Sequence, residues 1–546
     1  MTETSFDKRS LVEQIGHPLT ADASAGLAPT GVPPVMRMVV GLDPAPVLLT
    51  PTDLETLGDP FARLILRRDE RPMTVDALLE RFDVLSSEAT LADAAVRDEK
   101  VFLLGEGGQI PFTPATAALN RALRFVVART GPNDRLILMS VDDRPSTVTG
   151  LLQVLSWDPG KGAYNFYQRR DGVWFYSGDG THALEPPTRG RGPFDGHVNG
   201  SLVMKELRAP WLHWNSQSVP IPPEAFAPGH PILGHRLMAH PDGAEVLELD
   251  IIQPGIDRWI EARFDRAIQG GTLKAADTFL RQVVQTTTVN LVASDREFRE
   301  VAAGVRVNVP PEILLNIEAW THLLDPLTIR GRVQVDGGHL LRAIDDLGIA
   351  LEDPAAGFRQ PGEAFFALAC PSPAFEDLST ILALIDRGVL SAGLVRAILA
   401  VDFSNPVQSS RRAGFLRHMP RAGALGTGAG SCEAQILDAF AAEAAARPSS
   451  DEARVLDWLA TGDDAAQRAR IGAEIAAYYE AAKQRMQTEQ CVRDLMRLIV
   501  SRRRYFRTLG VSEFALTLPV DALPPDAAPV MMAPDATIFE APDLVG

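Results

Sequence analysis

Cysteine is nearly missing from this chain. Its 546 residues hold only Cys370, Cys432 and Cys491, far apart. That leaves no C-x-x-C, no zinc-knuckle spacing and no dense disulfide framework. Isolated reduced thiols are the expectation. Long apolar runs are lacking too. Even "STILALIDRGVLSAGLVRAILAVDF" is broken by Asp386, Arg387 and Arg396, so no membrane-spanning helix is expected. Positive charge is in deficit, with 53 Lys plus Arg against 70 Asp plus Glu and a net charge of -17. Such a field repels phosphate backbones and anionic lipid, which argues against nucleic-acid and membrane partners. The leading "MTETSFDKRSLVEQIGHPLT" has no apolar h-region, and with the reduced thiols this gives a cytoplasmic location as the expectation. No G-x-S-x-G nucleophile elbow and no H-E-x-x-H zinc motif occurs. "GEGG" at Gly105 lacks the third glycine of a dinucleotide fingerprint. The glycine loop "AGALGTGAGSCEA" is not followed by Lys-Ser/Thr, so it reads as a linker or lid ahead of a helix opened by Ser431.

What is present is globular composition, 46% hydrophobic and 23% charged. The pattern predicts an α+β fold: an antiparallel meander in the N-terminal part, an irregular central segment and a mainly helical C-terminal part. Boundaries fall at 1–180, 181–250, 251–430, 431–517 and 518–546, the last a Pro-rich tail, packed or disordered. The first fifty residues read as extended segments. "VFLLGEGGQIPF" reads as a strand and glycine turn, and "TPATAALNRALRFVVARTG" as a helix capped by Thr113 or Thr116. Four apolar or aromatic segments between Arg135 and Gly178, with Asp171-Gly172 between the last two, predict the meander. "SLVMKELRAPW" suggests a short helix ending before Pro210. Beyond Asp250, three- and four-residue spacing predicts helices, including one through "LKAADTFLRQVVQTTTVNLVA". Ser449 three residues before Glu452 resembles a capping box. A long apolar stripe through Ile471, Ile475, Tyr478, Leu495 and Ile499 predicts helix as far as Gly510. The basic run "SRRRYFR" (501–507) near its end reads as cations complementing the helix dipole.

The richest local chemistry lies in "GPFDGHVNGSLVMKELRAPWLHW" (192–214). A covalent haem site needs C-x-x-C-H. Here His197 stands in the histidine register, while Pro193 and Gly196 occupy the thiol positions. Together with "GAYNFYQRRDGVWFYSGDG", "FLRQVVQTTTVNL" and "LIDRGVLSAGLVRAILAVDFSNPVQSS", this stretch resembles bacterial c-type cytochrome domain proteins, over Thr149 to Leu291 and Leu384 to Ser410. The resemblance implies a degenerate relative without the two haem-attachment cysteines, acting in redox or ligand-binding chemistry. Haem held non-covalently would use His197, with Met204 or Met238 opposite it and Tyr176, Trp211 and Trp214 around it. The other reading makes His197 a loop hydrogen-bonder and the methionines core filler.

A metal site is a second option. "HPILGHRLMAH" places His230, His235 and His240 five residues apart, and His197 could join them. Imidazoles suit zinc, copper, nickel or iron, but a five-residue step does not put two side chains on one helical face, and ordinary loop histidines fit equally. The aromatic set Tyr164, Phe166, Tyr167, Trp174, Phe175, Tyr176, Trp211 and Trp214 is either hairpin core or the wall of a former haem cavity. The competing functions are a non-catalytic ligand- or partner-binding scaffold and a small-molecule enzyme reusing that cavity.

Overall fold

The computed structural model describes residues 32–110, 112–202, 207–508 and 516–541. They form two compact units. One is built from residues up to Val101 together with Phe125–Gly200, the other from Phe102–Arg124 with Ser201 onward. The α+β character expected from the sequence is present, with an antiparallel sheet early and helices late.

The first unit carries an eight-stranded sheet. Its strands are β1 (Val35–Arg37), β2 (Val47–Leu48), β3 (Asp98–Leu104), β4 (Arg124–Gly131), β5 (Arg135–Asp142), β6 (Leu152–Asp158), β7 (Ala163–Arg170) and β8 (Val173–Asp179), in the order β2-β1-β8-β7-β6-β5-β4-β3. The predicted meander is β5 to β8, paired antiparallel in sequence order, while β1 adds to β8 in parallel. Asp171 and Gly172 both have positive φ (48° and 73°) in the two-residue turn, the geometry a tight hairpin needs.

Seven of the eight β7 residues are buried, so both faces of this strand are covered. Residues alternate between faces along a strand. Tyr167 and Trp174 meet Phe61, both at 5.0 Å between centroids, and Phe61 also meets Phe82 of the helix Val75–Leu85. Phe166, on the opposite face, meets Phe194 and His197 edge-on at 5.0 and 5.4 Å. The aromatic hairpin is therefore packed core on both sides. Beneath the first face, buried Asp59 accepts from the Tyr167 hydroxyl, from Asn165 Nδ2 at 2.7 Å and from the Ala62 amide at 3.0 Å.

The helix expected over 113–131 is a correction. Residues 114–118 are turns, and Arg124–Gly131 is strand β4. Phe125, Val126, Val127 and Ala128 are all buried, so the strand has no polar face to show period two and reads as a buried helix would. Thr113 and Thr116 close a turn on each other, with the Thr113 amide 2.8 Å from Thr116 Oγ1.

The second unit is mainly helical around a buried two-stranded pair, Val289–Val292 against Cys370–Pro373. The helix expected through 273–293 therefore ends at Val284, and a strand follows. The Thr286–Thr288 run and β-branched Val289 and Val292 favour extended chain. The cap expected at Ser449 is Ser450, which accepts from the Ala453 amide. The long C-terminal helix is two, Asp464–Arg485 and Glu489–Thr508; Gly510 lies outside the described residues, as do residues 203–206 of the short helix read in "SLVMKELRAPW", and residues 207–211 of that stretch are irregular chain and turn rather than helix. The tail is packed: Val530–Met532 pairs with Ile538–Glu540, and Met532 exchanges hydrogen bonds with Asn405.

The basic run overturns its sequence reading. Arg502 and Arg503 are not surface charges but fully buried (1% and 0% exposed). Arg503 donates from Nε to the Ala369 carbonyl (2.8 Å), from Nη1 to the Pro519 carbonyl (3.1 Å) and from Nη2 to Glu363 Oε1 (2.6 Å). Arg502 reaches the carbonyls of Ile313 and Ser404. Irregular chain brought inside leaves carbonyls that need donors, and guanidinium supplies five in a fixed fork.

Two outcomes follow. Arg503→Met strands Glu363 as a buried charge, so urea unfolding should register a loss of about 3–5 kcal/mol. Arg503→Met combined with Glu363→Leu should recover much of it; a single variant as stable as the parent would contradict the assignment. Asp377, buried at the start of the helix Phe375–Asp386, accepts from Gln282 Nε2 (3.0 Å), Thr287 Oγ1 (2.6 Å) and the Thr287 amide (3.1 Å). Burial outweighs these bonds and lifts its carboxyl to about 6. Its protonated form is favoured on folding, so its contribution is complete below pH ~4 and lost as pH rises through 6, on the order of 2–3 kcal/mol. The stability difference between parent and Asp377→Asn should change across that window; a difference flat with pH would refute the shift.

Candidate ligand-binding cleft

The residues singled out in the sequence fall on both units. In the first, His197 follows the 3₁₀ turn Gly192–Phe194, its amide donating to the Phe194 carbonyl at 3.0 Å and its ring set edge-on to Phe166. Tyr176 is buried in β8 with its hydroxyl 3.2 Å from Asp179. These are contacts of a packed aromatic layer, and they lend a haem plane beside His197 no support. In the second unit, the Trp211 indole donates to Glu248 at 2.6 Å, and Trp214 is fully buried beside Leu104. Met204 lies outside the described residues; Met238 sits in the short helix Arg236–Ala239.

The three spaced histidines serve the backbone. His230 Nδ1 accepts from the Ile232 amide and His235 Nδ1 from the Leu237 amide, each opening a short helical turn, while His240 closes the second. Among the described residues no group of three or more His, Cys, Asp or Glu is placed to hold a metal, and no helix is long and apolar enough to cross a membrane.

A different place in the second unit gathers polar groups. A cleft of about 380 Å³ is bounded by Gln109, the 218–222 turn, the acids Asp295, Glu297 and Glu300, and the rings of Phe365 and Phe366. Its construction begins in the strand Val289–Val292, whose continuation is laced to the 365–367 segment. The Ser294 amide donates to the Ala367 carbonyl (2.8 Å), the Ala367 amide to Arg296 (3.0 Å) and the Phe298 amide to Phe365 (3.3 Å). Gly362, at φ 135°, lets the Phe298 ring lie where a Cβ would stand 2.3 Å away. Three acids are thereby set along one edge, and the two phenyl rings, 5.3 Å apart and tilted by 67°, form the apolar floor.

The acidic edge is held by neutral partners and one cation. Asn308 Nδ2 donates to both Asp295 oxygens (3.3 and 3.2 Å) and is itself oriented by Gln334 at 2.9 Å. Arg299 pairs with Glu297 at 3.2 Å and lies 4.9 Å over the Phe365 ring.

Gln109 also lines the cleft, on the turn Gly105–Ile110. The Gly108 amide closes on the Gly105 carbonyl (3.0 Å) and the Ile110 amide on Gly107 (2.9 Å). Gly108 packs closely here: a Cβ would meet the Ile221 side chain at 2.9 Å. Gln109 is only 7% exposed, yet its Nε2 has no hydrogen-bond partner. A buried amide left without a partner costs about 1–3 kcal/mol, and such groups call for a specific reason.

Sequence reasoning read this segment as a glycine turn after a strand, discounted it as a dinucleotide fingerprint, and passed over Gln109. Its one local signal is a lone amide between two glycines and the apolar Ile110-Pro111-Phe112. The acids in "SDREFRE" carry no signal alone; only the fold brings 109, 218–222, 295–300 and 365–366 together. Comparison of the chain with protein-family models, with curated proteins and with solved structures found no match.

An unsatisfied buried amide nitrogen is a stability cost. Gln109→Met, nearly isosteric, should raise stability by about 1 kcal/mol, read as a higher urea midpoint at unchanged slope. A fall of that size would make the amide a structural group.

Proposed function

We propose that this chain is a small-molecule-binding protein whose ligand seats in the cleft of the second unit. The observation that carries the reading is a single cleft whose lining brings together Gln109, the carboxylates of Asp295, Glu297 and Glu300, and the rings of Phe365 and Phe366. A few polar groups converging over an apolar floor are the usual make-up of small-molecule sites, and about 380 Å³ is within their range. The polar groups would orient the ligand and the rings would bury its apolar part. This is the binding-scaffold alternative left open by the sequence, at a cleft whose lining includes none of His197, Tyr176, Trp211 or Trp214.

The test is a thermal-shift screen of small polar compounds against the parent and against Ser218→Trp, which fills the cleft from an exposed rim position. A true ligand at a hundredfold excess over Kd stabilises by about 2.7 kcal/mol. The expected result is a set of hits that Ser218→Trp loses. Hits that survive Ser218→Trp would place binding elsewhere. A Soret band on haem titration that disappears in His197→Ala would replace this reading with the haem one.

A further inference from the structure

We propose that Arg417, His418 and Glu452 form a proton-operated latch, because one imidazole nitrogen is offered to two partners that it cannot serve together. His418 Nε2 lies 3.0 Å from Arg417 Nε and 2.9 Å from Glu452 Oε1. The guanidinium nitrogen only donates, and the ionised carboxylate only accepts. Nε2 must therefore be bare to receive Arg417, or carry a proton to reach Glu452.

While the imidazole is neutral, the guanidinium decides between these forms. Its Nη2 donates to the same Glu452 Oε1 at 2.7 Å, so the fork covers the imidazole lone pair with one N–H and the carboxylate with another. This puts the proton of neutral His418 on Nδ1. A proton taken from solvent at Nε2 gives Glu452 a second charged donor and sets two N–H groups against each other across the Arg417 contact. Arg417 then gives way: its side chain is 50% exposed, and Glu443 Oε2 already stands 4.0 Å from its Nη2.

The surroundings hold the other parts still. Glu452 is buried in the first turn of the helix Asp451–Leu459. Burial opposes its charge, but its own amide, His418 and Arg417 outweigh burial and keep the carboxyl below its ordinary range. Asp451 beside it is gripped by Arg411, and the His418 ring is set edge-on to Phe440 at 5.4 Å. Three helices, Ala276–Val284, Ser410–Ala413 and Cys432–Ala446, pack on the turn Gly414–His418. Other charges there are engaged elsewhere: Arg281 on Gln285, Arg412 on the carbonyls of Asn405 and Pro406, Glu433 on Ser391, and Glu443 Oε1 on Arg447. Among the described residues the ion pair of His418 is with Glu452, which leaves out Asp277 and Asp438 of the same helices.

Nitrogen-15 NMR of the histidine-labelled full chain, with the His418 signals identified by their loss in His418→Leu, reads the proton positions. At pH 8 Nε2 should be the bare nitrogen in the parent and the protonated one in Arg417→Met, where only Glu452 remains to be served. A double-mutant cycle between Arg417→Met and His418→Leu, read by urea unfolding, should show a coupling that favours folding about threefold or more at pH 8. At pH 5, on the other side of the ordinary imidazole pKa of about 6.5, that coupling should vanish or reverse. A proton on Nε2 at pH 8 in the parent, or a coupling equal at the two pH values, overturns the latch. The parent spectrum decides the matter even where a variant does not fold.

Discussion

The second unit depends on one buried ion pair. Arg503 and Glu363 are both entirely removed from solvent. A lone charge at such a depth would cost several kcal/mol. What makes the depth tolerable is that the guanidinium spends its remaining donors on the carbonyls of Ala369 and Pro519, and its neighbour Arg502 does the same for Ile313 and Ser404. Two adjacent side chains of one helix thus satisfy backbone carbonyls from four separate stretches of the chain. The cleft inherits this rigidity, since Glu363 is two residues from Phe365 and the 365–367 segment carries the 294–298 segment through backbone bonds.

Much of the architecture was legible where physics acts locally. The Asp171-Gly172 turn, the apolar and aromatic segments of β5 to β8 and the amphipathic helices follow from short-range rules, and the structure has them. Reading failed where burial hid the period. Strand β4 has no polar face, so it resembled a helix. The arginines of 501–507 looked like a solvated helix end because nothing in seven residues records that carbonyls wait around them. The cleft was illegible for the same reason, since its walls come from four places in the chain.

The stretch that drew most attention, Gly192–Trp214, is divided by the fold at Gly200. Its first part covers one face of the aromatic hairpin through Phe194 and His197; its second part supplies Trp211 and Trp214 to the other unit. A dense run of chemically able side chains can therefore be a run of packing residues. The scarce resource at a site is convergence, and among the described residues the histidines do not supply it.

The first unit is discontinuous: the chain leaves it after Val101, contributes 102–124 to the second unit, and returns at Phe125. No single cut can then separate the two units, and a fragment ending near residue 200 would carry twenty-three residues that belong elsewhere. During synthesis those residues emerge before most of the sheet that surrounds them in sequence, and their own partners emerge only after it. A practical dissection would instead excise the excursion, whose two ends lie in β3 and β4, neighbours in the sheet.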